Sequence, residues 1–201
     1  MEEPNQTHER WRDNALTIPN LISILRLAAV PVFVWLLVGE NKPLAAAALL
    51  GVLGATDWVD GWVARRFNQV SELGKVLDPT ADRIMFLVAV LTMMIDGSVA
   101  IWFGVLTLVR EGLVAIAALI LGALGARALK VTWAGKTSSF GLMFAFPLFL
   151  LSTAVEGAQS TTYEVIAYVI GVPSLALHYI AAFGYIPLAL TALKEEREEM
   201  L

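Results

Sequence analysis

A chain of 201 residues that is 58% hydrophobic, with a mean hydropathy of +0.70, is too apolar for a soluble domain of this size. Cysteine is absent, which excludes disulfides and thiolate metal sites. The net charge of -4 says little about partners, because distribution outweighs total charge in a membrane protein, and no nucleic-acid partner is expected.

The apolar residues fall into near-continuous runs long enough to cross a bilayer core, each about 20 residues. They predict an all-α polytopic membrane protein with six transmembrane helices. Residues 1 to 16 are polar with mixed charge, and Trp11 stands between Arg10 and Arg12. That segment reads as a short N-terminal interfacial helix or as a disordered tail. Its polarity, and a first apolar run without a clear small-residue cleavage site, argue against a cleavable signal peptide.

The first spanning helix is expected from about Pro19 to Val38. Asn20, Ser23 and Arg26 recur every three residues along it, and a polar stripe of that kind points into a bundle. Two readings are open: Asn20 and Arg26 belong to a nucleotide site, or Asn20 caps the helix while Arg26 snorkels to the headgroups.

The second helix is expected from about Pro43 to Arg66. A loop of roughly ten residues (FNQVSELGKV) leads to the third, expected from Asp78 to about Ile95 with Pro79 in its first turn. Across this region runs the stretch DWVDGWVARRFNQVSELGKVLDPTAD, from Asp57 to Asp82. On helices, Asp57 and Asp60 share one face, as do Asp78 and Asp82. Between the pairs, Gly61, Ala64 and Gly74 have little or no side chain and admit a bulky ligand or a second backbone. Four facing carboxylates repel in low dielectric unless they are protonated, paired with cations or holding metal. Two divalent ions would cancel the four charges.

Helix four is expected over about Val99 to Leu124, with Arg110 and Glu111 near its middle, and helix five over about Trp133 to Val155. Helix five opens on Gly135, Lys136, Thr137, Ser138 and Ser139. Helix six is expected from about Val165 to Leu193, interrupted by Pro173 and Pro187; His178 in it reads as a packed structural residue. The tail KEEREEML is a solvated charge run. The resulting division is a cytoplasmic segment over 1–16, a membrane domain over 17–193 and a charged tail over 194–201.

With six spans and a cytoplasmic N-terminus, the inner segments hold Arg10, Arg12, Arg65, Arg66, Lys75, Arg127, Lys130, Lys136, Lys194 and Arg197. The outer loops hold only Lys42. The positive-inside rule then puts both termini and the aspartates on the cytoplasmic side of the cell membrane. Carboxylates suit hard divalent cations, and a pair of such ions clamps a phosphoryl group, so the residues suggest metal-assisted phosphoryl transfer at a membrane surface.

Asp57, Asp60, Gly61, Ala64, Arg65, Gly74, Asp78 and Asp82 fit, without a gap, the D-x2-D-G-x2-A-R-x8-G-x3-D-x3-D signature of the CDP-alcohol phosphotransferases. The chain resembles that family. What the resemblance implies is release of CMP as a CDP-linked lipid or alcohol passes its phosphoryl-bearing part to an alcohol. It assigns Asp57, Asp60, Asp78 and Asp82 to two divalent cations, Mg2+ or Mn2+, and makes Asp82 the general base. CDP would be held by Asp57, Asp60, Gly61, Ala64, Arg65 and Gly74, with Asn20 added from the polar stripe. A homodimer is the family expectation.

The segments TIPNLISILRLAAVP, GKVLDPTADR and VREGLV look most like the branch that takes CDP-diacylglycerol as donor, with phosphatidylglycerol or glycerol 3-phosphate as acceptor. Phosphatidylglycerophosphate synthases follow the helix-four Arg-Glu with an arginine at the place of Ala118. Its absence favours phosphatidylglycerol, a monoanion, and hence cardiolipin as product. Arg110 and Lys136 are the acceptor-side cations, although Arg110 has alternative partners in Glu111 of its own helix and in an aspartate elsewhere. Ion-coupled transport is the reading from another class, and aspartates confined to one membrane half fit it poorly.

Overall fold

In hydrocarbon every backbone N–H and C=O needs a partner within its own segment, and this chain meets that demand with helices. A computed structural model describes the backbone of residues 18–67, 72–123 and 133–184, and the side chains of 20–56, 80–119 and 133–184. These residues form six helices and no strand. Helix α1 (Ile18–Val34) widens into a π-helical turn (Trp35–Gly39). It is followed by α2 (Pro43–Phe67), α3 (Glu72–Asp96), α4 (Ile101–Ala123), α5 (Trp133–Ala154) and α6 (Ala158–Phe183). The expected interfacial helix, the charged tail and Pro187 lie outside the described residues.

Among the described residues, four helical stretches are long and apolar enough to cross a membrane: Asn20–Gly39, Ile101–Leu119, Trp133–Ala154 and Ala158–Phe183. Helix α2 is apolar over Pro43–Thr56 and then enters the aspartate stretch. Large apolar side chains stay bare on the outer faces, among them Ile95 (78% exposed), Leu119 (74%) and Val169 (67%). On a soluble protein such faces would drive aggregation; here they are the surfaces for lipid.

The chain divides into two compact units, Met1–Asp96 and Gly97–Leu201. In the first, α1 packs chiefly along α3 and also touches α2. Phe33, Leu37, Ala46, Ala81, Val90 and Met93 are buried in this unit, and so are the polar Asn20, Ser23 and Arg26. The small side chains of Ala46 and Ala81, both fully buried, let backbones approach where no hydrophobic force separates lipid from protein.

In the second unit, α5 and α6 form an antiparallel hairpin, and α4 packs on α6. The hairpin's connection is only Val155, Glu156 and Gly157, and Gly157 takes φ 69°, a left-handed conformation that a β-carbon would strain. Phe103 packs against Phe146 and Phe149 with centroids 5.9 and 5.4 Å apart. Where α5 meets α6, a β-carbon on Gly141 would lie 2.9 Å from Ser174 Cβ. Gly141→Ala is therefore expected to lower unfolding stability by about 1–3 kcal/mol in detergent. Gly112→Ala, whose β-carbon meets nothing within 4 Å, is the neutral control in the same thermal denaturation.

Two expected boundaries are corrected. Helix α3 begins at Glu72 rather than Asp78, because Glu, Leu and Lys are good helix formers and the polar stretch need not be a loop. Pro79 thus lies inside the helix and removes the bond that the Lys75 carbonyl would accept. Helix α6 begins at Ala158 rather than Val165, and it continues through Pro173 without interruption.

Candidate active site

The aspartate stretch lies on two helices of the first unit. Asp57 and Asp60 belong to α2, and Asp78 and Asp82 to α3; helical spacing keeps the members of each pair about one turn apart. Gly61, Ala64 and Arg65 follow on α2, and Gly74 is on α3. Of the four carboxylates, Asp82 is the one whose side chain falls among the described residues.

Asp82 accepts a hydrogen bond from Arg26 across the α1–α3 interface, Nη1 to Oδ1, and the two form an ion pair. Arg26 is 1% exposed, whereas the Asp82 side chain keeps 38% of its surface. Arg26 therefore does not snorkel to the headgroups. Packing α1 against α3 takes the guanidinium out of water, and a charge in that position needs a counter-charge. Asn20 and Ser23, at 1% and 0% exposure, are buried along the same stripe, and each engages a partner. Sequence reasoning marked the stripe but missed the partner of Arg26. The available signal was a run of carboxylates on α3 and a single arginine on α1.

The donor set fits a hard divalent cation, since carboxylate oxygens are the ligands such ions prefer. Asp82 is bonded to Arg26 through one oxygen and remains partly open, so the guanidinium does not seal it off. Among the described residues, no three acidic or imidazole groups come together.

The two expected acceptor-side cations are in the second unit. Arg110 is buried on α4; its Nη1 donates to Glu111 Oε2 at 2.9 Å, and its Nε to the His178 carbonyl at 3.3 Å. Glu111, one of the alternative partners named from the sequence, is thus bonded to it. Lys136 is exposed in the first turn of α5. His178 is 4% exposed and its backbone helps to hold Arg110, a role that its isolation in the sequence did not suggest. Ala118, on α4, is half-buried.

Residues 16–183 match the family model described as CDP-alcohol phosphatidyltransferase. A cardiolipin synthase (CMP-forming) of Streptomyces coelicolor is 39% identical over 145 residues, covering 70% of this chain and 67% of the relative. A CDP-diacylglycerol--glycerol-3-phosphate 3-phosphatidyltransferase of Rickettsia bellii is 33% identical over 171 residues, 84% of this chain and 92% of its own. The enzyme of that name from Haemophilus influenzae is 31% identical over 134 residues, covering 64% and 72%.

Proposed function

The chain belongs to the CDP-alcohol phosphatidyltransferase family, and from that premise we propose that it transfers a phosphatidyl group from CDP-diacylglycerol to phosphatidylglycerol, forming cardiolipin and CMP. It is an integral membrane enzyme of phospholipid biosynthesis, dependent on CDP-diacylglycerol. The observation that carries the choice of acceptor is the 39% and 38% identity to cardiolipin synthases over 70% and 74% of the chain; the glycerol-3-phosphate enzymes match at 33% over 84%, at 36% over 61% and at 42% over only 37%. The alanine at position 118 supports it. The phosphomonoester of glycerol 3-phosphate, close to a dianion at neutral pH, would want another cation there, whereas the phosphodiester of phosphatidylglycerol carries a single charge.

In the reaction, the acceptor hydroxyl oxygen bonds to the phosphorus that carries diacylglycerol. The bond from that phosphorus to the CMP oxygen breaks, and the hydroxyl proton passes to Asp82. Arg26 holds one oxygen of Asp82 in place, so positioning supplies much of the gain. Gly61, Ala64 and Gly74 leave room for the nucleotide, Arg65 meets its phosphates and Asn20 contributes from α1. The family is generally dependent on divalent metal. Asp57, Asp60, Asp78 and Asp82 would hold two such cations, Mg2+ or Mn2+, whose chemistry is to neutralise the diphosphate and stabilise the leaving oxygen. Arg110 and Lys136 serve the acceptor side, Arg110 with its charge shared with Glu111. The catalytic unit is a homodimer of the domain over 17–193.

The test supplies purified protein with CDP-diacylglycerol, divalent metal and each acceptor in turn, with CMP and lipid products measured. Cardiolipin from phosphatidylglycerol, with little product from glycerol 3-phosphate, is the expected result. Ala118→Arg should then raise relative activity with glycerol 3-phosphate by about tenfold, the worth of one charge-assisted contact. Phosphatidylglycerophosphate without cardiolipin from the unmodified protein would reverse the acceptor assignment.

The active site faces the cytoplasm, as the distribution of basic residues supports. Single cysteines test this against a cysteine-free background. One at Gln69 should react with an impermeant maleimide only from the cytoplasm. One at Gln159, exposed in the first turn of α6, should react only from outside. The opposite labelling pattern inverts the topology.

A further inference from the structure

We propose that the second unit holds a binding site for a primary ammonium group at the end of the bundle where α5 turns into α6. A cavity of about 380 Å³ opens there, lined by residues of α5, α6 and the turn before α4. That volume suits a small headgroup and is too large for one bare ion, given that a water occupies about 30 Å³.

The chemistry of the lining follows from where its hydroxyl protons go. A hydroxyl has one proton to donate and two lone pairs that accept. Ser152 donates to the Phe149 carbonyl at 2.7 Å, Thr153 to the Leu150 carbonyl at 2.9 Å and Ser160 to the Ser152 carbonyl at 2.7 Å. Ser98 lies 3.5 Å from Thr153 at the same wall. With their protons given to backbone carbonyls, the Ser152, Thr153 and Ser160 hydroxyls offer lone pairs to the cavity. Glu164 adds a carboxylate.

Charge points the same way. From 97 to 109 and from 137 to 177 the chain has no Lys, Arg or His, while it carries Glu156 and Glu164. The N-termini of α4 and α6 favour an anion and the C-terminus of α5 a cation, each as a partial charge of about half a unit. The full charge of Glu164 decides the sign. An ammonium group supplies three N–H donors for these acceptors. Phe149 and Tyr168, packed edge to face with centroids 4.9 Å apart, close the cavity on one side with an apolar wall.

The ammonium can come from a free amine or from a phospholipid headgroup, and one experiment separates them. The full-length protein in an uncharged maltoside detergent is titrated with ethanolamine by calorimetry. In parallel, it is loaded with phosphatidylethanolamine or phosphatidylcholine for native mass spectrometry. Saturable binding of ethanolamine supports the site with a free amine as its ligand. Retention of phosphatidylethanolamine over phosphatidylcholine, without ethanolamine binding, supports it with the lipid headgroup as ligand. In either case Glu164→Gln should weaken binding by about tenfold and Ser152→Ala by about threefold. If Glu164→Gln does not fold, Ser152→Ala decides. No binding in either arm, or affinities unchanged by the substitutions, would overturn the proposal.

Discussion

Asp57→Asn, Asp60→Asn and Asp78→Asn are each expected to lower turnover by about a thousandfold, the scale of several kcal/mol of lost charge stabilisation, while the protein stays folded and membrane-inserted. The amide keeps the shape of the carboxylate but removes one negative charge from a group of four. Cations held by that group are then held by three charges or fewer. Chelation of the unmodified protein should abolish the same activity, and restored Mg2+ or Mn2+ should return it. Turnover is read as CMP release, and folding as a monodisperse gel-filtration peak in detergent. Near-normal turnover in any one of the three variants, or in chelator-treated membranes, would remove that residue or the metal from the reaction.

Asp82→Asn should behave differently from those three. It is expected to cost about 2 to 3 kcal/mol of stability in addition to activity, because Arg26 is buried at 1% exposure and loses its ionised partner. The figure is set below that for a fully buried pair because Asp82 retains 38% of its side-chain surface. Arg26→Met in the presence of chelator is expected to cost less, since Asp82 can turn to solvent. The double variant, Arg26→Met with Asp82→Asn, should recover stability relative to Asp82→Asn alone, as an apolar side chain replaces a stranded charge. Thermal unfolding of the four proteins in detergent with chelator reads the cycle. Strictly additive losses would mean that the two side chains do not interact in the folded protein.

Among the described side chains of the aspartate stretch, Asp82 is bonded to α1 and is thereby tied to the packing of α1 against α3. Arg26 and Asp82 are 56 positions apart, and nothing local to either predicts the bond.

Much of the molecule was legible from the chain alone because the relevant forces act locally. A bilayer demands helices of a set length, which made α1, α4 and α5 readable nearly to the residue from their apolar runs. The aspartate stretch was legible for a related reason: carboxylates in apolar sequence are costly, so their spacing carries chemical meaning without any knowledge of the fold. Helices α3 and α6 start earlier than their apolar stretches predict. Glu72, Lys75, Gln159 and Glu164 lie in helices that remain helical beyond their apolar stretches, since helix formation depends on backbone bonding and propensity as well as hydropathy. Packing decided what no local rule contains. Arg26 had two possible fates until α1 docked on α3 and removed it from water, and Arg110 had two until the bond to Glu111 and the His178 carbonyl on α6 fixed it. In both cases, a long cation that reaches several partners in an extended chain is left with one set once neighbouring helices close around it.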